Sequence, residues 1–278
     1  MDTSELRAAA VAGHFYPADP SELGEMVEVY LADVESEPLP MWAVVAPHAG
    51  LVYSGRCAAQ VFGRTRFPPV IVILAPNHSG IVGSPGCASL WSRGAFDTPL
   101  GPLPIATGFA QALETRCSFA MHDPGAHRKE HAVEVELPFI AKLAPESSIV
   151  PILLAFDDWE ICKDLADALA RTVEEWPEEV LLVASSDMTH FESATSAAHK
   201  DRIALEAVER LDGEALLSAC RREHITMCGR APTAVVIEAA RQLGATRAEV
   251  VDYRHSGWVT GDDASVVAYA GVVVPHSG

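Results

Sequence analysis

Four short runs limit what this chain can fold into more than any other feature. Residues 42–46 read WAVVA, 69–74 PVIVIL, 148–154 SIVPILL and 179–184 EVLLVA. Each is nearly all apolar and rich in Val, Ile and Leu, with no polar residue at alternate positions. A strand of that kind needs cover on both faces, which is how the strands of a parallel sheet between helices read. Between the runs, apolar residues return at helical spacing. Within 21–34 the face is Leu23, Met26, Val27, Tyr30 and Leu31, and Ser21 stands where a cap would. Helices are also expected over 54–62, 105–114, 129–143, 157–175, 194–211, 213–222 and 230–243, and closing strands over 248–253 and 265–274. Residues 80–104, rich in Gly, Pro and Ser, read as loops with room for a hairpin. No fixed-period repeat and no linker divides the chain. The expected fold class is α/β: a single three-layer domain over residues 1–278, with a mixed central sheet flanked by helices.

Composition narrows the partners. The formal net charge is -18 and the pI about 4.9, so a polyphosphate backbone would be repelled and nucleic acid is an unsuitable ligand. No apolar run approaches the roughly 20 residues of a membrane helix. The first residues, MDTSELRAAAVAG, lack the basic start and long apolar stretch of a secretory signal. Six cysteines (Cys57, Cys87, Cys117, Cys162, Cys220 and Cys228) form no CxxC pair, as expected of reduced thiols in a cytoplasmic protein.

Two of the strand runs end on nearly the same phrase, APHAG at 46–50 and APNHSG at 75–80. Ligands of open α/β sheets bind beyond the carboxyl ends of the strands. Two neighbouring parallel strands would therefore deliver His48 and His78 to one rim. The fourth run closes on SSDMTHF, which adds Asp187 and His190, three residues apart. Ser186 or Asp187 could equally cap a following helix. Convergent imidazoles with a carboxylate or thiolate are the donors a divalent transition metal takes. In KEHAVEVELPF, His131 and Glu134 would share a helical face, with His131 toward the pocket, whereas Glu134 and Glu136 also read as solvated. The spacing is not HExxH, so a zinc-protease reading fails. In TMCGRAP, Cys228 precedes an expected helix, where a thiol pKa is lowered and a thiolate suits a metal or a redox role; a free buried cysteine is the commoner alternative. In AGHFYPADP, His14, Phe15 and Tyr16 could line a cleft with aromatic surface, and Phe15 and Tyr16 also read as pins that hold the N-terminal arm to the core, which is the preferred reading.

Together AGHFYPADP, APHAGLVYSG, APNHSG, EHAVEVELPF, SSDMTHF and CGRAP resemble the Memo family, whose prokaryotic members are also called AmmeMemoRadiSam system protein B. The phrases stand in the family's order and span residues 12–232. The resemblance implies a fold like that of class III extradiol dioxygenases, the non-haem iron enzymes that open catechol rings. It implies one Fe(II) or Cu ion per chain, bound by His48, His78 and Cys228, with Asp187, His190 and His131 as further pocket residues. The expected function is a mononuclear metal-binding protein with a redox or oxidoreductase role, in which His190 is the acid or base and Asp187 orients it. A thiolate in place of the dioxygenases' carboxylate ligand is softer and suits copper(I) or shifts an iron potential, so ring cleavage does not follow from the fold. Two alternatives stand beside it. One is an extradiol-type dioxygenase in which Asp187 or Glu134 supplies the carboxylate. The other is a non-catalytic scaffold that holds a peptide or phosphorylated side chain near Arg230. The implied partners are a small-molecule or peptide ligand in the metal cleft, and a radical-SAM enzyme with a third small domain of the same system.

Overall fold

The apolar runs become the centre of one sheet. A computed structural model describes residues 5–276. Its strands are β1 Leu6–Arg7, β2 Met41–Ala46, β3 Val70–Pro76, β4 Ala88–Leu90, β5 Ala95–Phe96, β6 Leu103–Pro104, β7 Ala120–His122, β8 Ser148–Leu154, β9 Val180–Ser185, β10 His190–Glu192, β11 Glu249–His255 and β12 Val266–Pro275. Its helices are α1 Pro20–Leu31, α2 Leu51–Phe62, α3 Thr107–Arg116, α4 Pro124–His127, α5 Leu137–Leu143, α6 Trp159–Glu175, α7 Ala194–Glu209, α8 Gly213–Arg222, α9 Arg230–Gln242 and α10 Gly257–Thr260.

The main sheet runs β10-β12-β2-β9-β3-β8-β4-β7, and β11 also pairs with β12. Strands β2, β9, β3 and β8 are mutually parallel, while β12 joins β2 and β4 joins β8 antiparallel, so the sheet is mixed. Side chains alternate between its faces, as the pleat requires. Val72 and Leu74 pack with Leu165 of α6, Leu205 of α7, Leu216 of α8 and Val235 of α9. Ile71 and Ile73 pack on the opposite face with Val27 of α1, Phe62 of α2 and Phe139 of α5. That is the expected three-layer α/β arrangement. The expected hairpin in 80–104 is the antiparallel pair β5 and β6, which extends to β1.

Four local expectations change. Strands β2 and β3 are not neighbours, because β9 lies between them and pairs with both. The cap of α1 is Asp19, whose carboxylate accepts from the N–H groups of Ser21 and Glu22; Ser21 lies inside the helix. Helix α2 begins at Leu51, ahead of the expected start at 54. Residues 129–143 do not form one helix. The Glu130 carboxylate takes the N–H groups of His131 and Ala132, a single 3-10 turn spans Glu134–Glu136, and α5 starts only at Leu137. Pro138 supplies a reason, since proline is tolerated in the first turn of a helix and not in its interior.

The N-terminal arm is tied down by one buried carboxylate. Glu134, fully buried, pairs with the equally buried Arg7 guanidinium and accepts from the N–H groups of Ala10 and Val11. The Tyr16 hydroxyl donates to it at 2.6 Å, so Tyr16 pins the arm as expected. Arg7 also donates to the carbonyls of His127 and Glu130, which fixes the segment leading to His131. Replacing Arg7 by Ala leaves the Glu134 charge buried without its cation. Urea unfolding at neutral pH should then show a loss of about 3–5 kcal/mol. Arg93→Ala, which removes only an exposed pair with Glu5, should cost under about 1 kcal/mol. Equal losses in the two variants would contradict the clamp.

Candidate metal centre

Strand register brings three chain segments to one rim. Ala46 of β2 lies beside Ser185 of β9, and Leu74 of β3 lies beside Ala184. The chain leaves these parallel strands through Pro47-His48, Pro76-Asn77-His78 and Ser186-Asp187. The two histidine loops therefore flank the tip of β9. The segment carrying His131 crosses the same rim, because Ser185 Oγ donates to the Ala132 carbonyl at 2.7 Å.

Three imidazoles meet there. The ring centroids of His48 and His78 are 5.2 Å apart, those of His48 and His131 5.5 Å, and those of His78 and His131 4.7 Å. One nitrogen from each lies within 4.8 Å of the other two. His48 is buried, His131 half-buried and His78 exposed, so the group opens to solvent on the His78 side. Each Nδ1 already has a partner. His48 Nδ1 meets Ser185 Oγ at 2.8 Å, and the Nδ1 atoms of His78 and His131 lie 2.9 and 3.2 Å from Glu130 Oε1. For His78 and His131, whose Nδ1 faces a carboxylate that can only accept, that arrangement leaves Nε2 as the lone-pair nitrogen, which is how a neighbouring group prepares an imidazole for a metal; the His48 tautomer depends on whether Ser185 Oγ donates or accepts. Burial, and then the nearby His78 and His131 charges, hold the His48 pKa well below the usual histidine value, so His48 is neutral at pH 7.

Glu130 organises the open side. It is nearly fully buried, and its two oxygens also accept from the backbone N–H groups of His78, Ser79, His131 and Ala132. Burial alone would raise its pKa, but the hydrogen bonds from the His131 and His78 rings outweigh that and hold it far below the usual glutamate range. The Phe15 ring rests on His131 with centroids 4.7 Å apart, so the N-terminal arm covers this imidazole.

Cys228 reaches the group from the far side of β9. Its Sγ is 3.3 Å from His48 Nε2 and accepts the Asp187 N–H at 3.3 Å. Gly229 makes this approach possible, since a Cβ there would stand 2.3 Å from the Ser185 carbonyl oxygen and 2.4 Å from Ser186 Cβ. The expected lowering of the thiol pKa is overturned. Burial, and then the Asp187 carboxylate, push it well above the ordinary cysteine value, against the weaker help of nearby N–H groups. Asp187 is buried, and its carboxylate accepts from His48 N at 2.9 Å and Ala49 N at 3.2 Å. It thus fixes the His48 loop. It senses His190 only through charge, because His190 Nδ1 donates to the Thr226 carbonyl at 3.1 Å. A helix cap from Ser186 or Asp187 does not form. Helix α7 is capped by Ser193, and Ser186 Oγ accepts from Gly229 N instead. His190 sits on β10 at a register shift against β12, with Phe191 at φ 60, a bulge that sets where the imidazole stands.

Among the described residues, no carboxylate oxygen joins the three-histidine group. Glu134 does not share a face with His131; it is spent on the N-terminal arm. Glu134 and Glu136 are both buried, which overturns their reading as solvated. Glu130 is not distinguished by the sequence, Ser185 reads there only as part of the polar strand end SSDMTHF, and Glu136 only as solvated. The available signal is three glutamates set in the apolar stretch EHAVEVELPF with no lysine or arginine among them to pair them. Beside the histidines opens a cleft of about 630 Å³, lined by Asn77, His78, Phe156, Asp157, Cys228 and Arg230. The Arg230 guanidinium is held by Asp157 at 2.8 Å.

The chain is similar over most of its length to known proteins. A family model described as Memo-like protein matches residues 7–273. A MEMO1 family protein of Aquifex aeolicus is 40% identical, over 96% of this chain and 98% of the relative. A MEMO1 family protein of Methanopyrus kandleri is 38% identical, over 96% and 98%. Among solved structures, an uncharacterized protein of Escherichia coli K12 superposes with a TM-score of 0.50 at 14% identity, covering 83% of this chain and 99% of the other. That last likeness is one of fold.

The Glu130 contacts predict a pH signature. Glu130→Gln keeps the volume and removes the charge. Because the native carboxyl titrates below the unfolded one, its stabilisation is complete above the ordinary glutamate value of about 4.3 and fades as pH falls toward the native value. Urea titrations should therefore show Glu130→Gln less stable than the parent at pH 7, with the gap narrowing below about pH 4. A gap that stays constant from pH 7 to pH 3 would contradict this role.

Proposed function

The chain belongs to the Memo family, and on that premise we propose that its rim binds one redox-active transition-metal ion, iron(II) or copper, in an oxidoreductase role. The observation that carries this reading is the three-imidazole group with every Nδ1 engaged elsewhere. The donors fit such an ion. Metal–imidazole bonds are about 2.0–2.1 Å, and nitrogens within 4.8 Å of one another reach a common centre with shifts under about 1 Å.

His48 and His78 belong to either of two donor sets. Cys228 as the third ligand is supported by its 3.3 Å approach to His48 Nε2. His131 as the third ligand is supported by its place within the 4.8 Å group. Bound thiolate would favour copper(I), whereas imidazoles alone suit iron or copper equally. The Cys228 thiol has to lose its proton on binding, which makes affinity in the first set rise with pH. When bound, the metal supplies an open position at which an oxidant and a reductant substrate can meet.

The remaining roles fall to the chain itself. His190, donating from Nδ1 to Thr226, keeps Nε2 to take or give a proton. Asp187 holds the His48 loop, Glu130 holds the other two imidazoles, and the cleft beside His78 admits a small molecule or an extended peptide. An extradiol ring-cleaving reaction is less well supported. Asp187 and Glu134, the carboxylates it would need as ligands, are both occupied by backbone N–H groups.

Anaerobic titration of metal-free protein with iron(II) and copper(I), followed by metal analysis, tests the proposal. One ion per chain is expected, with binding abolished in His48→Ala. Between Cys228→Ser and His131→Ala, the variant that loses more than about 100-fold in affinity identifies the third ligand, since supporting partners typically cost 10–100-fold. Substoichiometric binding of both metals, or binding unchanged in His48→Ala, would overturn it.

A further inference from the structure

One hydroxyl at the rim has three partners, and only one allocation of protons satisfies all of them. Ser185 Oγ lies 2.7 Å from the Ala132 carbonyl oxygen, 2.5 Å from Glu136 Oε1 and 2.8 Å from His48 Nδ1. A serine hydroxyl has one proton to donate and two lone pairs to accept with. The Ala132 carbonyl can only accept, so it takes the serine proton. Glu136 Oε1 and His48 Nδ1 must then each bring a proton of their own. Any other allocation sets two acceptor atoms, oxygen against oxygen or the Nδ1 lone pair against oxygen, facing each other in a buried space.

We propose that Glu136 is a positioning residue, held as a neutral carboxylic acid, which through Ser185 keeps the His48 proton on Nδ1 and leaves Nε2 open toward the metal centre. Its surroundings agree. Glu136 is fully buried, and Ser185 is the one hydrogen-bond partner of its carboxyl group among the described residues. Its Oε2 has no partner, and no cation pairs with it among those residues. Burial above all, and the Asp187 charge, raise its pKa well above the ordinary glutamate value. The contrast with its neighbours in sequence is direct. Glu130 accepts from four backbone N–H groups and two imidazoles, and Glu134 has Arg7, two N–H groups and Tyr16. An ionised carboxylate in the place of Glu136 would have one serine hydroxyl and nothing else.

The consequence for His48 is specific. A neutral imidazole in water can place its proton on either nitrogen, and the tautomer with Nε2–H presents no lone pair to a metal. The Ser185 contact removes that choice, and Glu136 saturates the serine so that it cannot turn its own proton toward Nδ1. The thiol of Cys228, 3.3 Å from Nε2, is then placed to donate to it until a metal takes its position.

The tautomer claim stands without any metal, whereas its effect on affinity rests on the metal-binding proposal above. Two measurements on the full-length, metal-free protein at pH 7 decide the first. The infrared difference between the parent and Glu136→Gln should contain the C=O stretch of a protonated carboxylic acid, shifted in heavy water. Nitrogen-15 spectra of the histidines, assigned with His48→Gln, should show His48 protonated on Nδ1. Glu136→Gln should keep that tautomer, because its amide N–H donates to Ser185 as the acid proton does. Ser185→Ala and Glu136→Leu should release it. Carboxylate stretches in the difference spectrum, or Nε2–H at His48 in the parent, would overturn the proposal. For affinity, Ser185→Ala and Glu136→Leu should weaken iron(II) binding about 10–100-fold, and Glu136→Gln should leave it within about threefold. Should the parent itself bind no metal, the function proposed above fails while the two spectra still decide the tautomer.

Discussion

The pairing of β9 between β2 and β3 is the constraint on which the rim depends. Adjacent strands lie about 4.8 Å apart, so the two histidine strands stand about 10 Å from each other. His48 and His78 still bring their ring centroids to 5.2 Å, and they do so above the tip of the strand that separates them. That tip carries the small residues Ala184, Ser185 and Ser186. Gly229 presses on Ser185 and Ser186 from the other side and lets the Cys228 turn approach. A bulky residue at any of these positions would hold the imidazoles, or the thiol, away from the centre.

Three glutamates of one short segment then meet three different fates, set by what surrounds each. Glu130 is surrounded by donors and is an anion that orients two imidazoles. Glu134 has a guanidinium and carries the N-terminal arm. Glu136 has one hydroxyl and is neutral in our proposal. All three are buried, and all three act within a few residues of His131. The arm that Glu134 holds also lays Phe15 on His131, so the placement of the N-terminus bears directly on the shape of the rim.

Much of this was legible in the sequence. Uninterrupted Val and Ile runs announced strands buried on both faces, and the repeated Ala-Pro phrase announced two placed imidazoles. Strand order was not legible, because parallel partners are chosen by long connections and no local pattern says that residues 180–185 intervene between residues 41–46 and 70–76. The charged residues behind the site were hidden for a related reason. A glutamate reads as solvated until its partners are known, and the partners of Glu134 lie more than 100 residues away at Arg7 and Ala10. The thiol of Cys228 reads as acidic because its place ahead of α9 is a local signal, whereas its half-buried position beside the Asp187 carboxylate, which pushes the pKa up, is a tertiary one. Helix 129–143 failed where side chains took over the backbone's hydrogen bonds, which is also where function concentrates.

The central claim is that the three strand tips are organised around one metal ion with His48 Nε2 and His78 Nε2 as ligands. Anomalous diffraction from crystals loaded anaerobically, recorded at the iron and copper absorption edges, addresses it most directly. The account predicts a single anomalous peak within bonding distance of both Nε2 atoms and of either Cys228 Sγ or His131 Nε2. A rim with no anomalous peak, or a peak bound through Nδ1 of either histidine, would contradict it.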